Sequence, residues 1–263
     1  MLEMARCLSY NYFANGKVIQ KMKRGMIMKI LISGADRGLG YGMTELLLQK
    51  GHTVYAGQYL ESWDSLRELR KEYPNSLYII PLDVGNSHSV ETAKKIIQET
   101  TNCLDMIISN AGIFAKTDDN TPMITDYDQM MHLYNINSIG SVRLVENFYN
   151  MMNESAIKRF SFISSEAGSI TAAKRIDTFS YCMSKAALNM YAKLIYNRLH
   201  PTGYSVRLYH PGWVKSYMQG FLSEEGELTI REAAKLAVNY FLSEEVDESN
   251  LNLYGYDGEI FDF

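Results

Sequence analysis

At 263 residues, 46% of them hydrophobic, the chain is long enough to bury a substantial core in one large domain. A net charge of −4 excludes the basic field of a nucleic-acid or anionic-membrane binder, and no run of about 18 apolar residues marks a transmembrane helix. Three widely spaced cysteines (Cys7, Cys103, Cys182) and five scattered histidines fit neither a disulfide framework nor a metal site; the cysteine pattern suits a reducing, cytoplasmic compartment.

Residues 1–27 do not join the pattern that follows. They carry Arg6, Lys17, Lys21, Lys23 and Arg24 against the single acid Glu3, without the apolar core of a signal peptide, and read as a dispensable N-terminal extension or a short helix packed on the body. The organising stretch is Ile30–Gly40: an apolar β-prone run, three glycines at 34, 38 and 40, then helical spacing at Leu39, Met43, Leu46 and Leu47. Strand, glycine turn and helix aim free amides and a helix dipole at one point, which suits a phosphate. Strands are then expected at 52–58, 77–82, 104–109, 159–164, 204–209 and 259–263. Helices are expected at 62–73, 90–100 (opened by Ser87 or Ser89), 127–152, 178–199 and 230–242. This alternation implies an α/β fold, a doubly wound and mostly parallel sheet in a single domain spanning 28–263, with ligands at the carboxyl ends of the strands.

Residues suited to chemistry fall just after strands. Asp83 and Val84 follow the third, where a carboxylate could accept from an adenine amine or simply cap a turn; Asn110, Ala111 and Gly112 follow the fourth. Ser164 and Ser165 close the fifth, and Tyr181 and Lys185 lie four apart on the next helix. Hydride transfer to a ketone creates an alkoxide that must be protonated. A tyrosine near pKa 10 is a poor base at neutrality unless an ammonium such as Lys185 favours its phenolate, and a serine can donate to the developing oxyanion.

The sequence resembles a short-chain dehydrogenase/reductase over Lys29 to about Met218. Ser33–Gly40 is similar to the family's TGxxxGxG turn with Ser33 for Thr, and Asn110-Ala111-Gly112 to its NAG element. Asn137 matches the helix asparagine that holds a relay water, Ser165 the catalytic serine, Tyr181–Lys185 the YxxSK motif, and Pro211-Gly212-Trp213-Val214 with Ser216 the PGxVxT segment beside the nicotinamide. The resemblance implies a Rossmann-fold NAD(P)-dependent oxidoreductase acting on a small carbonyl or alcohol. Tyr181 would be the general acid/base, Lys185 would also bind ribose, and Asn137 would extend the relay. Gly34, Arg37, Gly38, Leu39, Gly40, Asp83, Val84, Asn110, Ala111, Gly112, Pro211, Gly212, Val214 and Ser216 would hold the cofactor. It also implies a homodimer or homotetramer. The second strand ends Ala56-Gly57-Gln58-Tyr59 without an acid, and Arg37 sits in the glycine turn, so NADP(H) is preferred, with NAD(H) the alternative. Ser165 and Tyr181 are more widely spaced than is common in the family. Residues 170–178, with Lys174, Arg175 and Asp177, therefore read as an enlarged pocket wall or ordinary exposed surface, and Tyr217, Met218, Phe221 and Leu222 as a lid, with Glu224, Glu225 and Glu227 solvated beyond. A catalytically silent dinucleotide sensor on the same fold is the alternative function; the intact Ser165, Tyr181, Lys185 and Asn137 argue against it.

Overall fold

Alternation along the strands divides the core. In Lys29–Ile32 (β3), Ile30 and Ile32 point to one face and Leu31 to the other, and all three are fully buried. The computed structural model describes residues 11–14, 17–20, 26–115, 126–218 and 221–263. Asn11–Ala14 (β1) and Lys17–Gln20 (β2) pair as an antiparallel hairpin in a sheet of their own, so an element appears where an extension or a helix was expected. The rest of the first 25 residues lies outside the described set.

The main sheet adds Thr53–Gln58 (β4), Leu77–Pro81 (β5), Met106–Ser109 (β6), Arg159–Ile163 (β7), Ser205–His210 (β8), Leu253–Gly255 (β9) and Ile260–Phe261 (β10). Its order is β10-β9-β8-β7-β6-β3-β4-β5, parallel except where β10 turns back on β9. Gly38–Gln49 (α1), Ser65–Glu72 (α2) and, later in the chain, Ile230–Leu242 (α7) cover one face, over Ile30, Ile32, Val54 and Ile108. Ser87–Gln98 (α3), Gly140–Phe148 (α5) and Phe179–Leu199 (α6) cover the other, over Leu31, Ile107, Phe160 and Phe162. Strand order reverses between β3 and β6, which makes their carboxyl ends the expected ligand crevice.

Three expectations are corrected. The helix over 87–98 is capped by Asn86, whose side chain accepts from Ser89 N, while the Ser89 hydroxyl is engaged with the Asp83 amide instead. The helix expected over 127–152 is interrupted: Tyr127–Tyr134 (α4) passes into a π-helical turn at Asn135–Ile139 before α5, and a 3-10 turn follows at Tyr149–Met152. Leu253–Gly255 is an additional strand, three residues ending in glycine and too short to show as one.

The end of α7 is held by two buried guanidinium groups. Arg207 donates to the carbonyl oxygens of Tyr240 and Ser243, and Arg159 to that of Phe241 (2.6 Å). Glu248 balances them, 2.7 Å from Arg207 Nε and 3.5 Å from Arg159 Nη2. Burial, with Arg207 nearby, pushes Arg159 down to about 10, and the two arginines hold Glu248 below the usual carboxylate range despite its desolvation. Removing the carboxylate leaves two buried cations uncompensated, so Glu248→Ala is expected to lose about 3 kcal/mol of stability, read as a lowered urea midpoint with unchanged NADPH affinity. The same contribution fades in the wild type as pH falls through the depressed folded pKa of Glu248, because the carboxyl then protonates.

Candidate active site

A cleft of about 920 Å³ opens at the carboxyl edge of the sheet, and every expected site residue except Asn137 lines it. Its floor is the glycine turn. At Gly34, with φ +63°, an added Cβ would come within 2.9 Å of Ala111 Cα; at Gly40 it would meet Gly34 O at 2.1 Å. The turn is tied to the neighbouring strand end by Ser33 Oγ, which accepts from the amides of Asn110 and Ala111, and by Asn110 Nδ2, which donates to Ser33 O and Gly34 O. Arg37 caps α1 without offering a side-chain acceptor, so the first-turn amides near Gly38, Leu39 and Gly40 are left for an anion. The cradle fits a dinucleotide diphosphate.

At one end of the cleft, Arg37 lies between the buried Asp36 carboxylate (3.1 Å) and the Trp63 ring, 5.6 Å from its centroid. Tyr217 meets Trp63 edge-on at 4.7 Å, so the segment after β8 reaches across the turn; Phe221 and Leu222 are exposed, and residues 219–220 are outside the described set. Asp83 and Val84 line the cleft beside them, with Asp83 Oδ1 accepting from Gly85 N to close its own turn. Ala111 and Gly112 form the middle wall. A Cβ on Gly112 would point toward Asn137 Oδ1 (3.4 Å) and Lys185 Nζ (3.6 Å). Opposite, Pro211, Gly212, Val214 and Ser216 follow β8, with Gly212 packed under the Tyr256 ring and Val214 bridged to Leu228.

The other end holds the reactive groups. Ser165 caps a 3-10 turn over Glu166–Gly168, and its hydroxyl sits close enough to Tyr181 to favour the phenolate. Ser164, the competing serine, donates instead to Asn189 Oδ1, away from that pair. Tyr181 packs edge-on against Phe114 at 5.1 Å. Lys185 is 2% exposed; its Nζ donates to Ile163 O at 3.0 Å and lies 5.9 Å from the Tyr181 ring centre. The π-helical turn buries Asn137 behind them, where its amide pairs with both backbone groups of Ile113 and donates to Ser184 Oγ. Thr178, the residue capping α6, holds a left-handed φ of +56°, an unfavourable conformation for a β-branched residue.

The electrostatics differ from the sequence expectation. Burial dominates at Tyr181 and pushes the phenol up to about 12, opposed by the Ser165 hydrogen bond and assisted by the Glu166 charge. The depression expected from Lys185 does not appear, because burial also penalises that ammonium and pushes it down to about 8. The phenol is thus held protonated near neutral pH. Sequence reasoning missed Glu166, three residues past β7, and His210, the last residue of β8. It also treated Glu225 and Glu227 as solvated surface, whereas both line the cleft, as does Arg175, for which the pocket-wall alternative holds. Arg175 pairs with Glu166, and Glu227 accepts from Tyr256 OH.

Fold and cleft together define an oxidoreductase of the doubly wound α/β class. The model of the short chain dehydrogenase family matches residues 28–227, and the chain belongs to that family. An uncharacterized oxidoreductase of Schizosaccharomyces pombe is 30% identical over 191 residues, 72% of this chain and 74% of its own. The 1-hydroxy-2-glutathionyl-2-methyl-3-butene dehydrogenase of a Rhodococcus strain is 28% identical over 206 residues, 78% and 86% of the two chains. An NADPH-bound carbonyl reductase from chicken fatty liver superimposes with a TM-score of 0.79 at 26% identity, covering 90% of this chain and 99% of that one. The Drosophila melanogaster carbonyl reductase Sniffer shares the fold, with a TM-score of 0.81 at 22% identity and coverage of 90% and 100%. Among the described residues no helix is long and apolar enough to cross a membrane, and no cluster of metal-ligating side chains occurs.

Proposed function

We propose that this protein reduces a carbonyl to a secondary alcohol with NADP(H), and that Tyr181 supplies the proton. One observation carries the reading: the hydroxyls of Ser165 and Tyr181 and the ammonium of Lys185 share the cleft that starts at the glycine turn. A nicotinamide cofactor held on the glycine turn would supply the hydride. Ser165 and Tyr181 flank the carbonyl oxygen and hold it by hydrogen bonds; as negative charge develops there, the half-buried phenol gives up its proton. Among the described residues Lys185 has one hydrogen-bond partner, Ile163 O, so two of its donors remain for ribose hydroxyls, and its charge steadies the phenolate left behind. Asn137 holds Ile113 and Ser184 in place behind Lys185 and marks the route by which the proton is replaced.

The cofactor preference rests on Arg37, steered by Asp36 and Trp63 at the end of the cleft where no acid closes β4. Arg37→Ala is expected to weaken NADPH binding by about tenfold or more and NADH binding by less than about threefold, measured by fluorescence titration; equal losses contradict the assignment. The enzymatic reading is tested by coupling NADPH oxidation to a ketone panel with the purified protein. The N-terminal 27 residues are proposed to be dispensable for this reaction, and the assembly to be a homodimer or homotetramer in the cytoplasm.

A further inference from the structure

The sixteen-residue step from Ser165 to Tyr181 leaves room for a segment that carries Arg175 back over the strand ends. There it meets a carboxylate that the reaction just described does not use. Glu166 Oε1 accepts from the Arg175 guanidinium. Glu166 Oε2 accepts from the Ser165 hydroxyl at 2.6 Å and lies 3.5 Å from His210 Nδ1, a buried nitrogen without a hydrogen-bond partner. His210 is itself fixed by the Phe261 and Tyr256 rings, at 5.7 and 6.1 Å, so the C-terminal hairpin closes this corner. Glu166, Arg175 and His210 all line the cleft.

We propose that Glu166 reads the substrate, selecting ketones that carry a hydroxyl on the carbon next to the reacting carbonyl. The inference rests on the carbonyl-reduction reading above. In that reading the carbonyl oxygen sits beside Ser165 Oγ, and an adjacent hydroxyl lies about one hydrogen-bond length (~2.8 Å) from it, the same step that separates Ser165 Oγ from Glu166 Oε2. An ionised carboxylate is an acceptor only, so it rewards a donor and gives an ether oxygen or a methyl group nothing. Hydrogen bonds from Ser165 and Arg175 hold its carboxyl below the usual range against burial, while burial pushes the neighbouring His210 imidazole down. Carboxylate and guanidinium then cancel, and the corner favours a neutral polar group over a charged one.

The same contact couples recognition to turnover. While Ser165 donates to Glu166, its proton is unavailable to the carbonyl oxygen. A substrate hydroxyl that takes the Glu166 lone pair releases the serine to turn toward the carbonyl, where its donation counts most in the transition state. Substrates without the hydroxyl leave Ser165 held back, so the difference falls on kcat as well as KM.

The test compares α-hydroxyacetophenone with propiophenone, which has a methyl group in place of the hydroxyl, and with α-methoxyacetophenone, which accepts but cannot donate. Wild-type kcat/KM is expected to favour the hydroxyketone by about tenfold or more, with the other two alike. Glu166→Ala should bring the ratio near one, and Glu166→Gln should lower it in part, partly by raising kcat for propiophenone. Should either variant fold poorly, Arg175→Met, which loosens the carboxylate without removing it, should reduce the ratio too. Equal rates for the three ketones in the wild type, or variants that scale all three together as a purely structural contact would, overturn the inference. If NADPH binds and none of the three is consumed, the carbonyl-reduction reading itself fails, a result distinct from unselective reduction.

Discussion

Tyr181→Phe is expected to lower NADPH-dependent ketone reduction by about 10³-fold or more, while the dissociation constant for NADPH stays within about threefold of wild type. The substitution removes one oxygen. The ring keeps its edge-on contact with Phe114, so the fold and the glycine cradle are undisturbed. What disappears is, among the described residues, the only phenol in the cleft that stands one helical turn from Lys185. Because burial keeps that phenol protonated up to about 12, wild-type reduction should be flat from pH 6 to 8 with respect to this group. Alcohol oxidation, which needs the phenolate, should rise with pH across the same range. Stopped-flow rates with each substrate, alongside a fluorescence titration of the dinucleotide, separate loss of chemistry from loss of binding.

Lys185→Met is expected to raise stability and abolish most turnover, a combination that a surface lysine would not give. The buried ammonium has its pKa lowered from 10.5 to about 8 by desolvation alone. Between those values the unfolded chain binds the extra proton and the folded chain does not, so stability rises with pH through the window from 8 to 10.5. Below pH 8 the full penalty stands, up to about 3 kcal/mol as an order of magnitude. Methionine fills the same space without a charge. At pH 7 the variant should gain about 1–2 kcal/mol, after the unsatisfied Ile163 carbonyl is allowed for, and the gain should shrink toward pH 10. Turnover should fall by about 10²-fold or more, with a raised KM for NADPH, because the proposed ribose contacts and phenolate stabilisation would go with the charge. Urea denaturation at pH 7 and 10, with kinetics on the same samples, checks both halves; a variant less stable than wild type at pH 7 contradicts the cost assigned to the burial of Lys185. Such a site is a local expense of free energy kept for function.

The sheet was legible because parallel strands buried on both faces leave continuous apolar runs, as at Ile30–Ile32 and Met106–Ile108, and the glycine turn because close approach admits no side chain. Tyr181 and Lys185 were legible because a single helix places them a turn apart. Other features depend on tertiary contact. The π-helical turn at Asn135–Ile139 has the same composition as an ordinary helix, and only the packing of Asn137 against Ile113 distinguishes it. Glu166 beside Ser165 carries no local signal of its partners: Arg175 is nine residues away and His210 belongs to the next strand. Glu166 lies just past the end of β7 and His210 ends β8, both at the edge that faces the cleft, and that position was the available clue. The electrostatic expectation for Lys185 failed because proximity in sequence says nothing about the water both groups lose.

The most direct measurement incubates the purified protein with NADPH and α-hydroxyacetophenone and follows reduced nicotinamide and alcohol product together. Consumption of one NADPH per alcohol formed by the wild type, and none above background by Tyr181→Phe, is the predicted result. Tight NADPH binding with no consumption, or a Tyr181→Phe variant that turns over as fast as the wild type, would contradict the role assigned to the phenol of Tyr181.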